Sequence, residues 1–306
     1  MAARPQTLPA AAAPVLVGTA VAVHEGTFAA VPALFALVGA ALIQVGTNFA
    51  NDYYDAVKGA DTDDREGFTR VTAGGLIEPA AVKRAMAATF ALAVVSGVYL
   101  VYVAGVPILL VGLLGIASGV LYTGGPYPLG YHGLGDPFVF VWFGLVAVTG
   151  THYVQAVEAA AWLDAPFALA AGLRAVSPTA ALASLPVAAI STNILVVNNV
   201  RDRETDAETG KRTLAVMLGY RAARGEFLAM LALAYATPIA LWAVGDLPAT
   251  ALAPLATLPL AARLTRTVLT RTDGAALNPA LERTGQLLFA FAALFALGIV
   301  APEVVG

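Results

Sequence analysis

The recurrence of apolar runs long enough to cross a bilayer constrains this chain more than any other feature. Helical runs of about 17 to 25 residues cover roughly 30 Å of hydrocarbon. Nine runs at or near that length follow one another, at approximately residues 8–23, 29–50, 85–104, 107–122, 138–154, 178–197, 227–244, 248–264 and 287–301. The first, fourth and last are the shortest, which leaves room for one of them to tilt or re-enter. With 59% hydrophobic and only 12% charged residues, the chain has too little polar surface for a soluble domain. The expectation is an all-α integral membrane protein of about nine transmembrane helices. No linker or soluble insert interrupts the pattern, so residues 1–306 read as a single domain. The segment before the first run carries one Arg and no small-residue cleavage site, which suits a first spanning helix better than a removed signal peptide.

Lys and Arg set the orientation, because the positive-inside bias acts through short loops near helix ends. In a nine-helix arrangement, 16 of the 17 basic residues fall on one side and only Arg174 on the other. That places the N-terminus in the cytoplasm, with larger cytoplasmic loops at 51–84, 123–137 and 198–226. The protein is then a multi-pass protein of the cell membrane. There is no Cys, which excludes disulfides and thiolate ligands, and the three His leave oxygen as the expected metal donor. The net charge of −3 says nothing about partners; neither a nucleic acid nor a protein partner is expected.

The second run ends in Gln44-Val-Gly-Thr-Asn48-Phe-Ala-Asn51-Asp52-Tyr-Tyr-Asp55-Ala-Val-Lys58-Gly-Ala-Asp61. Helical spacing puts Asn48, Asp52 and Asp55 on one stripe. The sixth ends in Asn193-Ile-Leu-Val-Val-Asn198-Asn199-Val-Arg201-Asp202-Arg-Glu-Thr-Asp206, where Asn198, Asp202 and Asp206 share a face. A single Asp at a membrane boundary usually does no more than solvate a helix end. Two matched clusters, both beginning inside the membrane, are costly without a purpose. Like charges at this spacing repel unless a cation lies between them. Oxygen ligands with open positions suit Mg2+, completed by phosphate and water. Two facing clusters therefore read as a cytoplasmic site for a diphosphate bridged by metal ions. Lys58, Arg70, Arg201, Lys211 and Arg212 stand beside the acids as phosphate partners, with positive-inside topology as the alternative reading of each.

A third loop, Tyr122-Thr-Gly-Gly-Pro-Tyr-Pro-Leu-Gly-Tyr131-His132-Gly-Leu-Gly-Asp136, is turn-rich and lacks the Gly-Lys-Ser/Thr of a P-loop. Its aromatic side chains either line a pocket or pack the loop. His132 and Asp136 are minor candidates.

The paired Asn-Asp-x-x-Asp and Asp-x-x-x-Asp motifs on the second and sixth runs resemble the UbiA superfamily of intramembrane prenyltransferases. Arg4-Pro-Gln-Thr-Leu-Pro, Gly46 through Asp55 with Lys58-Gly-Ala-Asp, the Tyr-Thr-Gly-Gly-Pro-Tyr-Pro-Leu-Gly loop, and Asn199-Val-Arg-Asp with Gly210-Lys-Arg-Thr-Leu resemble its 1,4-dihydroxy-2-naphthoate polyprenyltransferases. The resemblance implies a UbiA-type helical bundle that binds a polyprenyl diphosphate and an aromatic acceptor. It implies two or more Mg2+ ions, held by Asp52 and Asp55 and by Asp202 and Asp206. The wider superfamily often carries a further Asp where this chain has Gly59, with Asp61 as the substitute. Asn48, Asn51 and Tyr54 would orient the head group or shield the allylic cation, and prenylation with loss of carbon dioxide would give demethylmenaquinone. Relatives acting on 4-hydroxybenzoate, homogentisate, haem or an archaeal glycerol phosphate ether would share the same metal clusters. A cation-coupled transporter would instead place such residues in broken helices near the membrane midplane.

Overall fold

The computed structural model describes residues 2–58, 72, 74–161 and 175–305. Among them the secondary structure is entirely helical. The bundle helices are α1 (Leu8–His24), α2 (Ala30–Val57), α3 (Pro79–Ala104), α4 (Val106–Leu121), α5 (Gly135–Ala159), α6 (Pro178–Arg201), α7 (Leu214–Ala243), α8 (Leu258–Thr270) and α9 (Gly274–Val305). Eight of the nine apolar runs fall within or largely within one of these helices. Six of them, α2, α3, α5, α6, α7 and α9, are long and apolar enough to cross a membrane, while α1 and α4 are shorter apolar helices. The eighth run is not one α-helix, because a 3-10 segment, Ala249–Thr257, precedes α8.

Polar flanks set the helix lengths. At 28 residues α2 is about 42 Å long, more than roughly 30 Å of hydrocarbon requires, so its last two turns carry Asp52 and Asp55 to a membrane boundary. Similarly, α9 begins at Gly274, 13 residues before its apolar run at 287, and α7, kinked at Gly219 where φ is 82°, begins at Leu214, 13 residues before its run at 227. The added turns hold Arg221, Arg224 and Glu226 in α7 and Asn278, Glu282, Arg283 and Gln286 in α9. Hydropathy registers the hydrocarbon-crossing part of a helix and not its extension into the interface. The expected loops at 51–84 and 198–226 are shortened accordingly, and the second contains a short helix, Arg203–Glu208.

α6 is the central helix, with Ala183, Val187, Ala188, Ile190 and Val197 all fully buried. Ser177 caps its start, accepting a hydrogen bond from Ala180 N at 3.0 Å, and Pro178 occupies the first turn where its missing N–H costs nothing. Large apolar side chains point outward instead: Val95 and Leu297 are each 68% exposed. An apolar exterior around a helix that satisfies its own backbone is the arrangement hydrocarbon demands. Small residues allow close helix approach. Gly18 of α1 faces α5 so closely that a Cβ there would lie 2.5 Å from Val148 O. Gly144 sits in a π-helical stretch of α5, Phe140–Val146, directly against Ala188 of α6.

Candidate active site

On α2, Asn48, Asp52 and Asp55 are all buried, as the stripe predicts. Asn48 turns toward the N-terminal segment, its Nδ2 donating to Ala3 O at 2.9 Å and Thr7 Oγ1 at 2.8 Å. Asp52 accepts from Thr72 N at 3.2 Å and Thr72 Oγ1 at 2.5 Å. Asp55 accepts from the Tyr131 hydroxyl at 2.7 Å.

The sixth helix ends differently. α6 stops at Arg201 and the chain turns at Asp202 into the short helix, yet Asp202 N still bonds Asn198 O and Asp206 N bonds Asp202 O. The i, i+4 relation predicted for Asn198, Asp202 and Asp206 survives this break. Asp202 takes a two-pronged contact from Arg201, Nε to Oδ1 at 2.6 Å and Nη2 to Oδ2 at 2.7 Å, and both side chains are buried. The same guanidinium reaches Asn198 Oδ1 at 2.7 Å and Asn278 Oδ1 of α9 at 2.8 Å. Arg201 is therefore a buried brace for the cluster, and bidentate pairing of this kind fixes geometry as well as charge.

The two clusters meet at Lys211. Its Nζ lies 3.9 Å from Asp55 Oδ1 and 3.9 Å from Asp206 Oδ1, one carboxylate from each cluster. Tyr131 supports this centre, with its ring under Lys211 Nζ at 4.8 Å and under Lys58 Nζ at 5.3 Å. Arg212 N donates to Tyr131 O at 2.9 Å, anchoring the glycine-rich loop to the segment after the short helix. Lys58 ties that loop to α2 through Thr123 O at 2.6 Å. Burial lowers the Lys58 ammonium from its ordinary value, against the opposing pull of Asp55.

A continuous cavity of about 760 Å³ opens from this centre into the bundle. Its polar end is lined by Arg4, Asn48, Asp55, Tyr131, Asp206 and Lys211. Beyond them the walls are apolar, with Ile43, Leu100, Ile108, Ile116 and Phe143 among the residues that line them. Tyr122, Phe138 and Trp142 form a run of rings along one wall, with successive centroids 5.8 and 6.1 Å apart. The cavity thus joins a charged, polar end to a long hydrocarbon-lined body.

Most of the residues expected from sequence converge here. Asn48, Asn51, Asp55, Tyr122, Asn198, Asn199, Asp206 and Lys211 line the cavity, while Asp52, Asp202 and Arg201 stand behind it. Three of the expected residues stand apart from the cavity wall. The Arg212 side chain is exposed and does not line the cavity, so its position follows the charge bias of that end. The Tyr54 ring packs against Gly124 and the cluster around Ala50, Met86 and Phe90. Lys58 is spent on loop carbonyls. Asp61 and Arg70 lie outside the described residues. His132 stacks on Tyr127 at 3.7 Å and Asp136 faces Asn199 Nδ2 at 3.4 Å, so both serve loop packing. Sequence reading missed Tyr131 as the hub, together with Thr72 on Asp52.

Among the described residues no three His, Cys, Asp or Glu side chains form a ready-made metal cage. The donors at the polar end are carboxylate, amide and phenol oxygens. Mg2+ characteristically takes one or two carboxylates and leaves the rest of its shell to phosphate and water. This donor set fits Mg2+ held jointly with a phosphate ligand.

A family model described as the UbiA prenyltransferase family matches residues 11–295. The chain is 39% identical over 303 residues to a 1,4-dihydroxy-2-naphthoate octaprenyltransferase of Escherichia coli, covering 97% of this chain and 92% of that one. It is 38% identical over 298 residues to the protein of that name from Mycobacterium tuberculosis, covering 95% and 92% of the two chains. Among solved structures, an apo UbiA homolog from Aeropyrum pernix has the same fold at a TM-score of 0.67, with 18% identity and coverage of 96% and 98%. A UbiA homolog from Archaeoglobus fulgidus, bound to DMAPP and Mg2+, superposes at 0.58 with 14% identity, covering 95% and 98%. The all-helical fold of the described residues, the paired acidic motifs and these matches together place the chain in the UbiA prenyltransferase family.

Proposed function

We propose that this protein transfers a polyprenyl group from a polyprenyl diphosphate to 1,4-dihydroxy-2-naphthoate, in one membrane domain spanning residues 1–306. The observation that carries the reading is the single cavity whose polar end gathers carboxylates from α2 and from the short helix after α6, and whose remainder is hydrocarbon-lined. The names of the relatives from E. coli and M. tuberculosis supply the acceptor. The positive end faces the cytoplasm of a cell whose membrane holds the protein, because Lys58, Arg201, Lys211 and Arg212 all gather there.

The prenyl tail occupies the apolar length of the cavity, and the diphosphate sits between Asp55, Asp206 and Lys211. Asp55 and Asp206 would hold two or more Mg2+ ions there, which would supply positive charge to the leaving diphosphate. Asp55 and Asp206 hold that charge, Tyr131 fixes the Asp55 carboxylate through its hydroxyl, and Arg201 fixes Asp202. Lys211 donates to phosphate oxygens as the allylic C–O bond breaks. Asn48, Asn51, Asn198 and Asn199 orient the head group and the acceptor hydroxyls. The Tyr122, Phe138 and Trp142 wall excludes water from the allylic cation. The ring carbon bearing the carboxylate takes the prenyl group and loses carbon dioxide. The product is demethylmenaquinol, the reduced form of demethylmenaquinone.

The test offers geranylgeranyl and longer diphosphates to membranes containing the protein, with a panel of aromatic acceptors and mass spectrometry of the lipid products. Mg2+-dependent prenylation of the naphthoate is expected. Prenylation only of 4-hydroxybenzoate or homogentisate would overturn the choice of acceptor.

A further inference from the structure

Lys211 holds an unusual place for a lysine. It is buried, with 9% of its surface exposed, and its ammonium is equidistant from one carboxylate of each acidic cluster. At 3.9 Å neither contact is a hydrogen bond; the ammonium sits loosely between Asp55 and Asp206 over the face of Tyr131. A loose, central cation thus lies between one carboxylate of each cluster.

We propose that Lys211 makes metal loading conditional on the diphosphate, an inference that rests on the function proposed above. With the ammonium between Asp55 and Asp206, a divalent ion arriving alone meets a positive charge a few ångströms away in a partly desolvated site, where repulsion is weakly screened. An ion arriving with a diphosphate brings excess negative charge, and Lys211 exchanges its two carboxylates for phosphate oxygens. The favourable contact is regained on the anion and the metal takes the carboxylates. Metal and diphosphate therefore bind with positive coupling, each raising the affinity of the other by the same factor. Before substrate arrives, Lys211 also relieves the repulsion between two buried carboxylates, so the empty site persists without a metal.

The experiment measures Mg2+ binding to purified full-length protein by calorimetry, alone and with a geranylgeranyl thiodiphosphate whose sulfur bridge resists ionisation. The wild type is compared with Lys211→Met and Lys211→Gln, and unfolding of each metal-free form is followed by intrinsic fluorescence. In the wild type, Mg2+ alone should bind weakly and the thiodiphosphate should tighten it strongly. In Lys211→Met, Mg2+ alone should bind on the order of tenfold tighter, thiodiphosphate should bind more weakly, and the coupling between them should shrink. The metal-free variants should unfold at lower temperature and regain stability with Mg2+ alone. If Mg2+ alone binds both variants no tighter than wild type, or the coupling is unchanged, the conditional-loading role is wrong while the prenyltransferase reading stands. If the wild type binds no thiodiphosphate with Mg2+, the functional reading itself fails, and this inference with it.

Discussion

Four aspartates read alike in the sequence, and the structure gives them unlike surroundings. Asp55 and Asp206 face the cavity and share Lys211, whereas Asp202 is locked to a guanidinium that is itself buried. Neutralising a cavity-facing acid removes charge where the transition state needs it and leaves the packing intact. Asp55→Asn and Asp206→Asn should therefore lose roughly 10²–10³-fold or more in kcat, as removing one preorganised electrostatic partner typically does. Their unfolding temperatures should stay close to wild type. Asp202→Asn should lose stability as well, on the order of 3 kcal/mol, because a buried ion pair broken on one side leaves an uncompensated charge. Turnover and thermal unfolding measured on the same purified samples separate the two classes. Equal destabilisation of Asp55→Asn and Asp202→Asn would contradict the distinction.

At the scale of helices, the apolar core of every membrane segment was legible from hydropathy, because hydrocarbon selects for it. The acidic stripes were legible for a related reason: periodicity places i and i+4 on one face whatever the tertiary contacts. The remaining features depend on contacts distant in sequence. Tyr131 is the hub of the site, yet its partner Asp55 lies 76 positions away, and a tyrosine in a glycine-rich loop carries no mark of it. The π-helical stretch of α5 was equally hidden, and within it Gly144 lies directly against Ala188. That contact yields its own prediction. A Cβ at position 144 would collide with the Ala188 backbone as well as its side chain, and helix backbones cannot yield cheaply. Gly144→Ala should cost about 1–3 kcal/mol, the usual cost of overpacking, and should displace Trp142, two residues away on the cavity wall. A lower unfolding temperature with altered tryptophan emission would register both effects. An unchanged unfolding temperature would show that α5 can shift freely against α6.

For the whole molecule, the bundle has two chemically distinct ends. Opposite the catalytic end, Glu25 after α1 receives His152 Nε2 of α5 at 2.8 Å and the Ser177 hydroxyl at the start of α6 at 2.5 Å. The neighbouring His24 reaches Glu303 of α9 at 3.1 Å, so these contacts clasp α1, α5, α6 and α9 together far from the cavity's polar end. Burial alone would push the Glu25 carboxyl up, but the hydrogen bonds from His152 and Ser177 and the charges of His152 and His24 outweigh it. The group is held below its ordinary value of 4.5. A carboxyl with a depressed folded-state pKa contributes stability that is fully present above its unfolded value and is lost as pH falls through the folded one. The difference in unfolding temperature between wild type and Glu25→Gln should therefore shrink progressively as pH falls below 4.5. With no cysteine for thiol-reactive dyes, intrinsic fluorescence in detergent is the suitable readout. A difference that grows on acidification would mean that Glu25 is destabilising when charged, and that the clasp depends on Ser177 and the histidines without it. Because the clasp sits at the opposite end from Asp55, Asp206 and Lys211, Mg2+ and diphosphate binding should be the same in Glu25→Gln as in wild type at neutral pH. The two ends can then be perturbed one at a time.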